Sequence, residues 1–256
     1  MELNFQDYQE YAAKILEEEA IREIASQVRP LGKFRKNGTG SWEPVPYAGY
    51  TIVTPTAPDD GANAGTYQVL DEVREALLRE LDFAGVVMAP YTALHMTVAR
   101  LVSGDVFVKK VLKAREECLL IVLRRLFLKI ARPGPLQYEI KGLSLFPQGV
   151  VAAMVSPVGP ADYLGLQELR DRLYTDTVLK ELGVDRSRGF KGHVSLCYIE
   201  EMLDENRKKE LSDLIAAMNR RFFSAPLPFA ITRAEVRKFE DFSRFYRQDN
   251  WPAFAL

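Results

Sequence analysis

The sequence is poor in the residues that most often build disulfides and metal sites. Its 256 residues include only two cysteines and two histidines. Cys118 and Cys197 belong to no Cys-x-x-Cys pair, so the sequence offers neither a disulfide framework nor a zinc-finger spacing. We expect both thiols to be reduced and apolar in character, as in a cytoplasmic protein.

Long apolar runs are also missing. The longest aliphatic stretch, from Cys118 to Leu123, is followed by two arginines, whereas a membrane-spanning helix needs about 20 apolar residues. The first 20 residues are acidic and periodic, unlike the basic and then apolar pattern of a signal peptide. We therefore expect a cytoplasmic protein with no membrane partner.

An excess of charge of one sign is the third absence. The formal net charge is -1 at pH 7, whereas proteins that bind long nucleic acids make many phosphate contacts through basic residues. We expect no long duplex nucleic acid as a partner, so any phosphate must be held by a local site. The hydrophobic fraction of 47% and charged fraction of 27% are those of an ordinary globular protein.

The chain does contain an internal repeat of the order strand, helix, strand, helix, strand. The first copy comprises residues 50–55, 66–81, 94–98, 105–130 and 136–146. The second comprises residues 149–156, 161–182, 193–199, 204–222 and 229–239. The spacing agrees, because Val53 to His95 and Val151 to His193 are both separated by 42 residues (95 − 53 and 193 − 151). Two copies of one unit predict pseudo-two-fold symmetry.

This repeat predicts an α+β fold with two pseudo-symmetric lobes. Each lobe is expected to be an antiparallel sheet with helices on its outer face, and a central cleft separates the two. We expect one bilobal domain over residues 1–256. It is divided into an extra N-terminal helix (1–29), a first lobe (30–146) and a second lobe (147–256).

Some local features refine this prediction. Residues 30–49 are rich in glycine and proline and predict a long ordered loop. Asp105 stands where an N-cap is expected, ahead of a single helix that reaches about Ile130. The N-terminal helix has an apolar stripe and is expected to pack on one lobe as scaffold.

The two histidines lie in matching motifs, His95-Met96-Thr97 and His193-Val194-Ser195. Residues i and i+2 of a strand project from the same face, so each imidazole is predicted to have a hydroxyl beside it, facing the cleft. By the same alternation Cys197 is expected on the cleft face. Tyr198 is expected on the opposite, buried face.

Two imidazoles across a cleft suffice for in-line phosphoryl transfer. One removes a proton from the attacking hydroxyl and the other protonates the leaving oxygen; the sequence does not assign these roles between His95 and His193. An unperturbed pKa near 6.5 would let a neutral and a charged imidazole coexist near pH 6 to 7. The hydroxyls of Thr97 and Ser195 would donate to the non-bridging phosphate oxygens, and the reaction needs no metal or other cofactor.

These residues resemble the paired His-x-Thr/Ser signature of the 2H phosphoesterase superfamily, which includes proteins similar to the bacterial 2'-5' RNA ligase and plant cyclic phosphodiesterases. Four segments also resemble an uncharacterised bacterial branch of that superfamily, namely residues 33–53, 94–101, 192–203 and 238–245. The likeness covers most of residues 32–245.

The resemblance implies a bilobal fold and a hydrolase that is a metal-independent phosphodiesterase. Its substrates would be 2',3'-cyclic phosphates or related 2'-linked esters of nucleotides or RNA ends. The catalytic roles carry over to His95 and His193, the phosphate-binding roles to Thr97 and Ser195, and nothing carries over to any other position.

Further candidates follow from residue type alone. Arg188 and Lys191 could lead phosphate into the cleft, although their segment is also typical of a solvated turn. Tyr50 could stack a base, as could three other aromatic residues, Tyr47, Tyr91 and Trp42.

Three alternatives stay open. The same cleft could bind a nucleotide or RNA end without turnover, or the motifs could be vestigial in an interaction protein. A zinc site would need both histidines and a further ligand such as a carboxylate or Cys197.

Overall fold

The structure, a computed structural model, describes residues 2–81, 85–112 and 115–256. The helices are α1 (Phe5–Lys14), α2 (Glu18–Ser26), α3 (Ala64–Glu80), α4 (Gly104–Lys110), α5 (Glu116–Phe127), α6 (Pro160–Thr175), α7 (Thr177–Glu181) and α8 (Glu205–Phe222). The strands are β1 (Phe34–Lys36), β2 (Trp42–Pro44), β3 (Gly49–Val53), β4 (Val86–Met88), β5 (Thr97–Ser103), β6 (Leu136–Phe146), β7 (Val150–Pro157), β8 (His193–Ile199), β9 (Leu227–Ile231), β10 (Arg233–Phe239), β11 (Phe245–Tyr246) and β12 (Ala253–Ala255).

Two antiparallel five-stranded sheets carry the fold. The first sheet has the order β11-β10-β3-β5, with β12 also paired to β10. The second has the order β4-β8-β7-β6-β9. Helix α4 packs on β3 and β5, whereas α3 and α8 pack on the second sheet. The prediction of an α+β fold with two antiparallel sheets and helices outside them is therefore confirmed.

The two sheets are not built from two consecutive stretches of chain. Strand β6, predicted to belong to the first lobe, lies in the second sheet, because the short turn at residues 147–149 makes it a hairpin with β7. Gly149 has φ +71° in that turn, a conformation that glycine adopts without steric cost. Because β6 and β7 must share a sheet, the boundary predicted between residues 146 and 147 does not separate the two sheets.

The C-terminal part of the chain shows the same interleaving. The single strand predicted at 229–239 is two strands, β9 in the second sheet and β10 in the first, and the chain crosses between the sheets at Thr232. Strand β10 pairs with β3 in register Glu235 to Val53. The C-terminal strands therefore complete the sheet that carries the first histidine motif.

Three long helices predicted from the sequence are each divided in two. The N-terminal helix breaks between α1 and α2. The helix predicted from 105 to 130 becomes α4 and α5; Ser103 is its N-cap and Asp105 lies in its first turn, while residues 113 and 114 lie outside the described residues. The helix predicted from 161 to 182 is α6 and α7, because the Asp176 side chain accepts a hydrogen bond from Leu179 N (2.9 Å) and starts a new helix.

Two smaller features complete the fold. The loop predicted at residues 30–49 contains a hairpin of β1 and β2. Across the three described ranges, no helix is long and apolar enough to cross a membrane.

The backbone of Gly192, which precedes the second motif, is packed tightly. A Cβ atom at Gly192 would lie 2.6 Å from the carbonyl oxygen of Val155, so Gly192→Ala should lower the free energy of unfolding by about 1–3 kcal/mol. Gly65, in α3, has no neighbour within 4 Å of such an atom. Gly65→Ala is therefore the control and should raise the free energy of unfolding by about 0.4–1 kcal/mol. Urea denaturation measures both, and equal stability of the two variants would contradict the packing described.

Candidate active site

The middle residues of the two motifs form a β-bridge between the sheets. Met96 pairs with Val194 in antiparallel orientation, and both side chains are fully buried. Thr54 fixes Met96 from the other side: its N–H donates to the Met96 carbonyl (2.9 Å) and its Oγ1 accepts from Met96 N (3.0 Å). The two motifs therefore lie side by side, with their middle residues in the core.

This bridge determines where the flanking residues lie. In an antiparallel pairing the residues on either side of a bridged pair are cross-strand neighbours, so His95 lies opposite Ser195 and Thr97 opposite His193. All four side chains are half-buried, whereas Met96 and Val194 are buried. Cross-strand Cβ atoms are about 4.5–5.5 Å apart and diagonal ones about 7–8 Å. The structure thus brings the four residues together on one face, with the imidazoles on a diagonal.

Both imidazoles are held in the same way. Nδ1 of His95 lies 2.7 Å from the carbonyl oxygen of Ala93, and Nδ1 of His193 lies 2.7 Å from that of Lys191. A carbonyl oxygen can only accept, so in each ring Nδ1 carries the hydrogen. The neutral imidazole then presents an unprotonated Nε2, which can act as a base.

A phenylalanine ring covers each imidazole. The Phe245 ring centroid lies 4.3 Å from that of His95, and the Phe146 centroid lies 4.9 Å from that of His193. Neither phenylalanine belongs to the motifs, and no spacing in the sequence indicated them.

Burial is the largest cause that lowers the pKa of His95 to about 4, and the positive charges of Arg237 and His193 act in the same direction. Burial also lowers the pKa of His193, with contributions from Arg100 and Lys191. Both rings are consequently neutral at pH 7 in the free protein. Both shifts run against the expectation, based on an unperturbed pKa, of one charged imidazole near pH 6 to 7 in the unliganded site.

A buried ion network supports the His95 side. The Arg237 guanidinium donates to Glu235 (2.8 Å) and Asp59 (2.6 Å), and also to the carbonyl oxygen of Phe245 (3.2 Å). Arg237 therefore holds β11, and with it the Phe245 ring, beside His95.

A β-bulge changes the faces predicted for the second motif. Val151 pairs with Cys197 and Ala152 with Ser195, so Leu196 is an extra residue in β8. Because a bulge interrupts the alternation of faces, the side chains beyond it are reversed.

The reversed residues are Cys197 and Tyr198. Tyr198 lies near the Ser195 side chain and packs against Phe34 and Phe242. Cys197 is fully buried, and its environment includes Arg74 of α3. The predictions that Cys197 faces the cleft and that Tyr198 faces away are therefore wrong, although Tyr198 is buried as expected.

The reversal also bears on the zinc alternative. Burial raises the pKa of the Cys197 thiol to about 12, and the thiol lies on the helix side of the strand. Over the part of the chain that the structure describes, no group of three or more His, Cys, Asp or Glu side chains could hold a metal ion.

The first motif has a matching bulge. Ile52 pairs with Ala99 and Val53 with Thr97, so Val98 is the extra residue in β5. Arg100, the counterpart of Tyr198, is exposed, and its charge contributes to lowering the pKa of His193. Sequence reasoning missed Arg100, because strict alternation does not place it beside the motif.

The other candidates divide between two locations. Arg188 and Lys191 are exposed on the loop before His193, and the Lys191 Nζ lies 4.5 Å from the Tyr11 ring centroid. Tyr50 is only 2% exposed, packs against Phe107 and donates to Glu116 (2.7 Å). Tyr50 therefore has no free face, and the prediction that it could stack a base is wrong.

The N-terminal segment fixes the loop before His193. The Tyr8 hydroxyl accepts from Gly192 N (2.9 Å) and donates to the Val155 carbonyl (2.8 Å). Glu2 accepts from Phe190 N (2.6 Å) and from the buried Arg170 (2.6 Å). This segment is therefore more than a packed scaffold, because it anchors the loop on both sides of Lys191.

The structure was compared with known proteins. A conserved protein of unknown function from Agrobacterium tumefaciens strain C58 is similar over 88% of this chain and 97% of its own, with 14% identity and a TM-score of 0.62. The protein TT0787 from Thermus thermophilus is similar over 81% of this chain and 97% of its own, with 14% identity and a TM-score of 0.50. E. coli LigT in apo form is similar over 83% of this chain and 99% of its own, with 13% identity and a TM-score of 0.47.

The similarities to the Agrobacterium and Thermus proteins show that the chain shares their fold. No protein-family model matches the sequence, and no curated protein matches it either.

Because the chain has only two histidines, nuclear magnetic resonance can follow both imidazoles directly. In the free protein both should titrate below pH 6.5, with His95 near pH 4. A nucleoside 2'-monophosphate should raise at least one pKa, because a nearby anion favours the charged imidazole. His95→Gln assigns the two signals. Two histidines that titrate near 6.5 in the free protein would contradict the buried environment described.

The Tyr8 anchor can be tested by removing one oxygen. Tyr8→Phe keeps the ring stacked on Phe190, whose centroid is 5.6 Å away, but leaves Gly192 N and the Val155 carbonyl without this partner. The free energy of unfolding should fall by about 1–3 kcal/mol, and the pKa of His193 should move while that of His95 does not. Tyr11→Phe is the control. A variant with an unchanged His193 titration would show that Tyr8 does not position the loop.

Proposed function

We propose that the protein is a metal-independent phosphodiesterase that acts on 2',3'-cyclic phosphates or related 2'-linked esters of nucleotides or RNA ends. The observation that carries the proposal is the Met96–Val194 bridge. It sets two imidazoles with unprotonated Nε2 atoms beside two hydroxyls on one half-buried face. The resemblance of the two His-x-Thr/Ser motifs to those of the 2H phosphoesterase superfamily supports an enzyme of this kind.

The reaction needs one proton to enter the site. One neutral Nε2 takes a proton from the attacking water, the new P–O bond forms, and the bond to the ribose oxygen breaks. The other imidazole, as imidazolium, gives its proton to the leaving oxygen. Both rings are neutral in the free protein at pH 7, so the phosphate anion must raise the pKa of one of them when it binds. The overall change is addition of water to a cyclic diester, which yields a phosphomonoester.

The hydroxyls have a separate role. Thr97 and Ser195 would donate to the non-bridging oxygens, where negative charge grows in the transition state. Tyr198, which lies near the Ser195 side chain, would orient the Ser195 hydroxyl. Tyr198 would thus act as a positioning residue.

The second candidate is a nucleotide or RNA-end binding module that uses the same cleft. The low pKa of His95 favours it, because an imidazole that is neutral at pH 7 can accept a hydrogen bond from a ligand without proton transfer. A measurement of substrate turnover distinguishes the two functions, because only the enzyme converts its ligand.

The test uses wild type and the variants His95→Ala, His193→Ala and the double variant. The substrates are 2',3'-cyclic mononucleotides, oligonucleotides with cyclic phosphate ends and 2'-5'-linked oligonucleotides. Each single change should lower the rate by about 10²- to 10⁴-fold, and activity should survive chelators. Because both free-protein pKa values lie below 6.5, kcat/KM should peak on the acid side of pH 6.5 and fall as the pH rises and the acid is deprotonated.

Two results would replace this proposal. Binding at the cleft without turnover of any of these substrates would establish the binding module. Activity that is lost with chelator and restored by a divalent metal would establish a metal-dependent hydrolase. Circular dichroism of each variant ensures that a lost rate is not a lost fold.

A further inference from the structure

Three cationic side chains converge at the end of the cleft beside His193. Arg100 comes from β5, and Arg188 and Lys191 come from the loop before His193. All three are exposed, and none forms an ion pair with any residue that the structure describes. By contrast, Arg186 in the same loop is paired with Asp171 and Glu2. Arg186 is therefore neutralised by its carboxylate partners, whereas Arg100, Arg188 and Lys191 have no ion-pair partner among the described residues.

Backbone contacts bring the three residues together. The buried guanidinium of Arg170 donates to the carbonyl of Val98 (2.6 Å) and to that of Arg188 (3.5 Å). One side chain therefore links the bulge of β5 to the loop that carries Arg188. Lys191 lies beside the site because its carbonyl accepts from His193 Nδ1.

The charges act on one another. Burial lowers the pKa of Arg100, and the charge of Arg188 lowers it further. The pKa of Lys191 is lowered by the same two causes. These effects agree with the backbone contacts in placing Arg188 between the other two cations.

The loop cannot easily relax to separate these like charges. Phe190 N is bound by Glu2 and Gly192 N by Tyr8, on either side of Lys191. Like charges held together raise the local potential and attract an anion. Arginine forks match phosphate oxygens in geometry as well as in charge.

The opposite end of the cleft has a different character. There, Tyr198 occupies the position equivalent to Arg100 and is buried. A cavity of about 880 Å³ near His95 is lined by several arginines and by the ring of Phe245. Three of these arginines, Arg233, Arg237 and Arg247, are paired with Glu235. The fourth, Arg244, is exposed, lies 5.6 Å from the Tyr246 ring centroid and forms no ion pair with a residue that the structure describes. Three unpaired cations therefore lie on the His193 side, against this one arginine in the cavity near His95.

We propose that Arg100, Arg188 and Lys191 form a subsite for a second phosphate of the substrate, on the His193 side of the reacting phosphate. The identity of the reacting group rests on the proposed function, but the subsite itself does not. The substrate class is then a nucleotide or RNA end that carries a further phosphate, in preference to a cyclic mononucleoside phosphate.

A binding experiment tests the subsite without turnover. Calorimetry compares a nucleoside 2'-monophosphate with the corresponding 2',5'-bisphosphate in wild type, Arg100→Gln and Arg188→Gln. The bisphosphate should bind wild type about 10- to 100-fold more tightly than the monophosphate at low salt, as expected for charge-assisted hydrogen bonds. Each variant should lose about 10-fold for the bisphosphate and less than about 3-fold for the monophosphate.

Arg125→Gln is the matched control, because it removes an exposed arginine of α5 and the same net charge. It should leave both affinities unchanged. A loss equal to that of Arg100→Gln would show a general charge effect and overturn the subsite. Equal affinity of wild type for the two ligands would overturn it as well.

A turnover experiment separates the subsite from the proposed function. A 2',3'-cyclic nucleotide is compared with and without a 5'-phosphate, and the 5'-phosphate should raise kcat/KM by about 10-fold or more in wild type but not in Arg100→Gln. If neither compound is hydrolysed while the bisphosphate still binds more tightly, the proposed function fails and the subsite stands. If both are hydrolysed at equal kcat/KM and the ligands bind equally, the function stands and the subsite fails.

Discussion

The arrangement of the site depends on one β-bridge between two large apolar residues. Met96 and Val194 are fully buried, and their pairing joins the edge of one sheet to a strand of the other. Since side chains alternate along a strand, a slip of one residue in either motif would turn its imidazole into the core and its apolar side chain into the cleft. The hydrophobic effect therefore fixes the register, and the register fixes the positions of the two histidines and two hydroxyls.

Burial then decides the protonation of the site. Phe245 and Phe146 cover the imidazoles, and the carbonyls of Ala93 and Lys191 hold their Nδ1 hydrogens. The free site consequently has two neutral bases and a cluster of cations near one of them. The cations of such a site have no anionic partner until a ligand binds. A bound anion would also raise the pKa of the imidazole that acts as the acid in the proposed reaction. In the proposed reaction, ligand binding would therefore also charge the imidazole that acts as the acid.

The sequence predicts the parts of this arrangement that depend on pattern. The repeated order of elements and the two His-x-Thr/Ser motifs predict the paired sheets and the four residues that meet. The predictions fail where the local sequence pattern does not show which strand a segment pairs with, or in which register. An extra residue at Val98 or Leu196 keeps the apolar composition of the strand but reverses the faces of Arg100, Cys197 and Tyr198. Similarly, the run that ends in β10 reads as one strand, because crossing between sheets at Thr232 requires only one residue.

The departures from symmetry give the cleft a direction. Two matching motifs alone would treat both orientations of a phosphodiester alike, since each imidazole can act as base or acid. The two copies of the repeat differ two residues after the extra residue of each bulge, where one copy has Arg100 and the other has Tyr198. They differ also in the loop that Glu2 and Tyr8 anchor beside His193. These differences put three unpaired cations at the His193 end, against one, Arg244, near His95, so under the proposal a substrate with an anionic end would be held in one orientation. Under the proposed function, the leaving oxygen would then meet the same histidine each time, so the divergence of the two halves would determine which imidazole acts as the acid.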